Sequence, residues 1–229
     1  VAYAAQRAGV KCTIFMPEEA TLAKVVATRG YGAEVRLQGR DYQEAFEHAT
    51  AFQQSSGAVF VHAFDDHAVM AGQGTIGLEL LQDLPQLDTV LVPIGGGGLI
   101  SGIATALKGL KPGIRVIGVQ AEGASTIAPS LQKGAPVRLE TAETMADGIA
   151  VRRVGENTFP VIRDLVDQVV TVSEGEIAAA ILFLLERTKA VVEGAGAVTL
   201  AAAMHGKIDL KGRKVCAVVS GGNIDMTLV

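Results

Sequence analysis

The sequence predicts an α/β fold, a mostly parallel sheet flanked by helices, with part of a smaller α/β domain toward the N-terminus. Three observations predict it. Short apolar runs rich in β-branched residues alternate with longer stretches at helical spacing, several of those runs are apolar nearly throughout, and one leads straight into four consecutive glycines and a helix. Alternation of this kind implies crossover units, which join parallel strands. Strands covered by helices on both faces carry no polar side, so their apolar character is continuous.

Taken in order, Val1 to Gly9 reads as the middle of a helix ending at a glycine, with no initiating Met and no signal-peptide layout, so a further segment is expected before Val1. Strands are expected at Cys12 to Met16, Ala33 to Leu37, Val59 to Ala63, Thr89 to Ile94, Arg115 to Ala121, Gln168 to Val172 and Lys214 to Val219. Glu18 and Glu19 follow Pro17 and are expected to open a helix. Tyr42, Ala45, Phe46, Ala49 and Phe52 fall on one helical face, which Ser55-Ser56-Gly57 ends. Ile177, Ala180, Ile181, Leu184 and Leu185 repeat that spacing. Ser173 and Glu176 stand where a capping box would open their helix, each side chain answering the other's orphan amide. No repeat, low-complexity tract or Gly/Ser linker interrupts the chain. The domain boundary is placed near Gly57 to Val61, giving 1–58 as part of a small α/β domain and 59–229 as a large α/β domain.

Composition narrows the function. With 229 residues, 49% of them hydrophobic and 19% charged, the chain has the make-up of a globular protein with a sizeable core. It contains no run of about 18 apolar residues, so a membrane partner is not expected. The formal charge of -4, with Lys and Arg scattered singly, offers no stripe for a nucleic-acid backbone. Cys12 and Cys216 each sit inside an apolar run and read as small core residues, which fits a reducing, cytoplasmic setting.

The most informative local feature is Thr89-Val90-Leu91-Val92-Pro93-Ile94, then Gly95-Gly96-Gly97-Gly98, then Leu99-Ile100-Ser101-Gly102. Four residues without Cβ let the backbone turn through conformations closed to other residues and gather several N–H groups around one object. The following helix start adds orphan donors and about half a positive charge, so the object is an anion and phosphate its natural form. A nucleoside-triphosphate loop is disfavoured because Leu99-Ile100 replaces the Lys-Ser/Thr pair. A dinucleotide loop is disfavoured because Ile100 is too large for the last small position. Near the C-terminus, the apolar run Val215 to Val219 leads into Ser220-Gly221-Gly222-Asn223-Ile224-Asp225, placing a neutral hydroxyl at a strand's C-terminal end.

With these two loops stand Met70-Ala71-Gly72-Gln73-Gly74-Thr75, Ala146-Asp147-Gly148-Ile149-Ala150, Glu186-Arg187-Thr188-Lys189 and Val192-Glu193-Gly194-Ala195-Gly196-Ala197. Together they resemble the fold-type II pyridoxal-phosphate enzymes, tryptophan synthase beta-like in fold, in the threonine ammonia-lyase and serine racemase branch. The matches run in family order from about Val1 to Asp225. The resemblance implies pyridoxal 5'-phosphate as cofactor, its site lying between the two domains. It places the phosphate on the backbone of Gly95 to Gly98 with Leu99 at the helix start, the pyridine nitrogen on Ser220, and Gly148 and Glu193 beside the ring. The implied reaction is β-elimination, turning L-threonine into 2-oxobutanoate and ammonia, or serine into pyruvate. It also implies a small-molecule amino-acid substrate and a homo-oligomer.

The chain departs from the family pattern in several respects. Relatives carry the cofactor on a lysine in a Ser-Phe-Lys-x-Arg-Gly-like stretch, followed by an Asn-His loop. None of Lys11, Lys24, Lys108, Lys111, Lys133, Lys189, Lys207, Lys211 or Lys214 has that context. The lysine is expected upstream of Val1, and the isolated chain is expected to be inactive. The alternatives are a serine racemase or serine dehydratase, and a catalytically silent cofactor-binding or dimerising protein. Racemase-like relatives hold a divalent cation on a glutamate matching Glu122 and a second carboxylate, which is Ala128 here, so no metal site of that type is expected. Asp65 and Asp66 read as helix caps. His48, His62, His67 and His205 lack ligand or catalytic spacing. Arg152-Arg153 reads as solvated surface.

Overall fold

The computed structural model describes residues 1–224, so Asp225 of the second glycine motif lies outside the described residues. Two compact units divide the chain, Val1–Val61 with 223–224, and His62–Gly222.

In the first unit, β1 (Thr13–Met16) pairs in parallel with β2 (Glu34–Leu37), Thr13 opposite Glu34. Around them run α1 (Ala2–Ala8), α2 (Leu22–Gly30) and α3 (Tyr42–Ser56). Gly9 and Gly57 stop α1 and α3 in the left-handed conformation, at φ 66° and 70°, the cap expected of glycine. Asp41 caps α3 by accepting the Glu44 amide at 3.0 Å. Phe15 and Phe52 pack at 5.6 Å, and the Arg36 guanidinium lies 4.3 Å from the Phe52 ring centre, so a cation covers the aromatic edge of this small core.

Two sequence expectations are corrected in this region. Glu18 and Glu19 lie in a turn closed by Ala20 N–H on the Pro17 carbonyl at 3.0 Å, and the helix begins only at Leu22. Val59 to Ala63 is not a strand. The run has the right composition, but a strand needs a ladder partner, and here Val59 is 92% exposed.

The second unit holds a four-stranded, wholly parallel sheet of β3 (Thr89–Pro93), β4 (Arg115–Ala121), β5 (Gln168–Val172) and β6 (Val215–Ala217), in the order β5-β4-β3-β6. Its helices are α4 (His67–Asp83), α5 (Gly98–Leu110), α6 (Ile127–Lys133), α7 (Thr158–Leu165), α8 (Glu174–Phe183) and α9 (Gly194–Met204). Side chains alternate between two apolar clusters. Val90, Val92 and Val116 meet α5 and α7 through Ile103, Leu107, Phe159 and Ile162. Leu91, Ile117, Val119 and Val172 meet α8 and α9 through Ile177, Ala180, Val198 and Ala201. Burial on both faces is why β3 shows no polar–apolar alternation, each of its five residues being buried, Thr89 with its hydroxyl bonded to Asp88. The Ser173–Glu176 capping box forms as read from the sequence. Cys216 sits half-buried in β6 opposite Val90, where burial pushes its thiol pKa up, the character of a packing residue rather than a nucleophile.

Helices α4 and α5 meet backbone to backbone. A Cβ on Gly74 would lie 3.0 Å from the Gly102 carbonyl, and one on Gly102 would lie 2.6 Å from the Gly74 nitrogen and closer still to the Met70 carbonyl. Glycine is a poor helix former, by about 1 kcal/mol against alanine. Its presence at this crossing lets the pair approach more closely than side chains permit, which seats the start of α5 against the sheet.

Candidate active site

Both glycine motifs open at the same end of the sheet and on neighbouring strands. β3 and β6 pair in parallel with Leu91 opposite Ala217, and the Val218 amide continues the ladder onto the Leu91 carbonyl at 3.0 Å. Counting three residues on from that pair puts Ser220 level with Ile94, one residue before the first glycine. Adjacent strands are about 4.8 Å apart, so one small molecule can span the two turns.

The loop itself is a backbone surface. Gly96, Gly97 and Gly98 are buried and Gly95 partly so. Among the described residues no acceptor engages the amides of Gly95, Gly96, Gly97 or Gly98. Gly97 caps α5 at φ 99°, a left-handed conformation that side chains rarely adopt. Orphan buried amides are costly, and at a helix start such donors favour an anion. Leu99 lies in the first turn of α5 with its side chain against an apolar cluster, so only its amide can face an anion.

Contacts then run continuously from this loop to the second one. Gly95 abuts Ile149 of the single turn Asp147–Ile149, where a Cβ would come within 2.9 Å of the Ile149 Cα. Gly148 faces Glu193, its Cβ position 3.4 Å from Oε1. Glu193 in turn lies against Gly221, and its amide donates to the Gly221 carbonyl at 3.1 Å. Ser220, exposed, adjoins that contact. The geometry thus gathers Gly95 to Gly98, Gly148, Glu193 and Ser220 in one place. Among the described residues, Glu193 Oε2 is buried without a hydrogen-bond partner, although most buried polar atoms in proteins have one.

Three further contributors had no local signal in the sequence. Phe64 packs its ring where a Cβ on Gly96 would stand, and its backbone lies 2.9 Å from the corresponding position on Gly98. His62 fixes that segment, since its Nδ1 accepts the Phe64 and Asp65 amides at 3.1 and 2.8 Å. Burial lowers the His62 pKa against the opposing pull of Asp65 and Asp66, which favours the neutral ring that can accept. Asp66 caps its own helix α4 as expected, accepting the Ala68 amide at 2.7 Å. Asp65 instead reaches across the fold to the amides of Glu156, Asn157 and Thr158, at 2.9, 2.8 and 3.1 Å, near the start of α7. That role is invisible locally, because its partners are 91 to 93 residues away.

Lys108, Lys111, Lys189 and Lys207 take other partners, namely Asp167, the Leu87 carbonyl, the Glu186 carbonyl and Glu176. His48, His67 and His205 are exposed. Arg153 pairs with Glu156 at the surface, as its sequence context suggested.

A parallel α/β sheet whose neighbouring strands end in an amide-lined glycine loop and a neutral hydroxyl has the donors that a phosphate ester needs. The residues fit pyridoxal phosphate, with loop amides that no acceptor engages among the described residues, a hydroxyl at the next strand end, and the buried Glu193 carboxylate between them. A family model described as "Pyridoxal-phosphate dependent enzyme" matches residues 1–221, and the chain belongs to that family. L-threonine ammonia-lyase of Geobacter sulfurreducens is 57% identical over 230 residues, covering 100% of this chain and 57% of that protein. A catabolic L-threonine dehydratase of Staphylococcus aureus is 49% identical over 232 residues, covering 100% of this chain and 67% of the relative. Among solved structures, the processed form of threonine deaminase isoform 2 from Solanum lycopersicum superposes with a TM-score of 0.91 at 38% identity, over 99% of this chain and 63% of that one. Maize serine racemase gives 0.92 at 36% identity, over 100% and 70%. The chain thus spans 57% of the length of the Geobacter relative. Among the described residues no helix is long and apolar enough to cross a membrane.

Proposed function

We propose that this chain forms the phosphate- and ring-binding part of a pyridoxal-phosphate-dependent L-threonine ammonia-lyase, yielding 2-oxobutanoate and ammonia. The observation that carries the reading is the parallel pairing of β3 with β6, which sets the glycine loop beside Ser220. Relatives named for threonine deamination at 49–57% identity support the substrate class.

In this reading the amides of Gly95 to Gly98 and the first turn of α5 bind the phosphate, supplying charge complementarity without a basic side chain. Ser220 would donate a hydrogen bond from its hydroxyl to the ring nitrogen, keeping its proton. Glu193 and Gly148 border the ring, where Oε2 can accept a hydrogen bond from a bound group. When bound, pyridoxal phosphate supplies an electron sink for the charge that develops at an amino acid's α-carbon. A hydroxyl partner, unlike a carboxylate, leaves the ring nitrogen largely unprotonated and the sink moderate, which suits elimination better than transamination. Residues 59–229 are read as the cofactor domain and 1–58 as part of the smaller one. A homo-oligomer in the cytoplasm completes the proposal.

The test is an assay of the whole protein that carries this chain. L-Threonine is expected to give 2-oxobutanoate and ammonia in equal amounts, faster than L-serine gives pyruvate. Conversion of L-serine to its D form, with no 2-oxo acid from either substrate, would assign the protein to racemisation instead.

A further inference from the structure

We propose that Thr158, held in place by Asp65, is a positioning residue that aims the Gly97 amide at the bound phosphate. The inference rests on the reading of Gly95 to Gly98 as the phosphate cradle. Its origin is the peptide joining Gly96 to Gly97. The Gly96 carbonyl accepts two hydrogen bonds from inside the fold, one from the Thr158 hydroxyl at 2.7 Å and one from the Gly155 amide at 3.1 Å. That peptide is trans, and in a planar trans peptide the C=O and the following N–H point in opposite directions. Pinning the oxygen inward therefore turns the Gly97 N–H away from the two donors, and among the described residues no acceptor engages it.

Without such a hold the peptide would be free to rotate, because both flanking residues are glycine and φ at Gly97 is already 99°. Thr158 is itself fixed. Its side chain is fully buried, its amide donates to Asp65 Oδ1 at 3.1 Å, and its carbonyl accepts from the Ser101 hydroxyl at 3.3 Å. Asp65 Oδ2 takes the Glu156 amide and Oδ1 also takes that of Asn157, so one carboxylate organises the whole turn before α7. Gly155 admits no Cβ because Asp65 occupies that position. A relay thus runs from Asp65 through Thr158 to one amide of the loop. Preorganised donors bind an anion without first having to order themselves, which is how a residue without ligand contact affects affinity.

The test compares wild-type, Thr158→Val and Thr158→Ser forms of the full chain. Inorganic phosphate is the probe, because it reads the cradle without forming adducts with lysines. Valine keeps the shape of threonine and removes the donor, so the phosphate dissociation constant is expected to rise about three- to tenfold, the range for one neutral hydrogen bond. Serine restores the hydroxyl and is expected to return affinity to within about twofold of wild type. Pyridoxal, which lacks the phosphate, should bind all three forms alike. Equal phosphate binding by wild type and Thr158→Val would overturn the proposal, as would a serine variant as weak as valine. If Thr158→Val does not fold, Asp65→Asn reads the same relay: weakened phosphate binding supports it and unchanged binding overturns it. Failure of the wild-type chain to bind phosphate would instead remove the cradle reading, and this inference with it.

Discussion

Valine at position 96 is expected to weaken phosphate binding by about a hundredfold, the equivalent of losing one or two hydrogen bonds to a charged acceptor at roughly 1.5–3 kcal/mol each. The reason is steric. A Cβ on Gly96 would fall within the Phe64 ring. That ring cannot slide aside cheaply, because the clash is with its Cγ, close to a backbone that His62 fixes through two amides. The loop must move instead, and its amides lose their convergence. Overpacking of this kind also destabilises folds by about 1–3 kcal/mol. Equilibrium dialysis of inorganic phosphate against folded wild-type and Gly96→Val chains measures the effect. Equal affinity in the two would show that the anion does not sit on this loop.

Alanine at Gly102 is expected to lower the stability of the chain by about 1–2 kcal/mol, the overpacking cost of about 1–3 kcal/mol outweighing the roughly 1 kcal/mol by which alanine favours helix over glycine. The added methyl would meet the Met70 carbonyl and the Gly74 nitrogen, both backbone, so relief requires prising α4 from α5. Separation there would open the packing around Ile103 and Leu107, each 0% exposed. Gly109 on the same helix is the control, since a Cβ on it meets nothing within 4 Å. Gly109→Ala is expected to raise stability by up to about 1 kcal/mol. Urea midpoints of the two variants check the pair. A stabilising Gly102→Ala would show that the helices do not cross this closely.

Local signals were legible in the sequence, and relations between distant segments were not. The capping box at Ser173–Glu176, the glycine stops at Gly9 and Gly57 and the run from Arg115 to Ala121 follow from neighbouring residues alone. The strand, glycine loop and helix start from Thr89 to Leu110 were readable for the same reason, being carried by neighbouring residues. The adjacency of β3 and β6 is different, because strand order depends on which crossovers form, and nothing between Gly98 and Lys214 states it. Asp65 reads as a helix cap, but which amides it takes was not legible, since a carboxylate does not declare how far its partners lie in sequence. Val59 to Ala63 shows the converse error, where strand-like composition met no ladder partner. Phe64 and Thr158 look like ordinary core residues until the fold brings both against Gly96 and Gly97.

The most direct measurement is an amide proton–nitrogen correlation spectrum of the chain titrated with inorganic phosphate. The largest shifts are expected at Gly95, Gly96, Gly97 and Gly98, with that of Gly97 reduced in Thr158→Val, while Gly109 at the far end of α5 stays in place. Phosphate shifts centred elsewhere, with the four loop amides unmoved, would contradict the account.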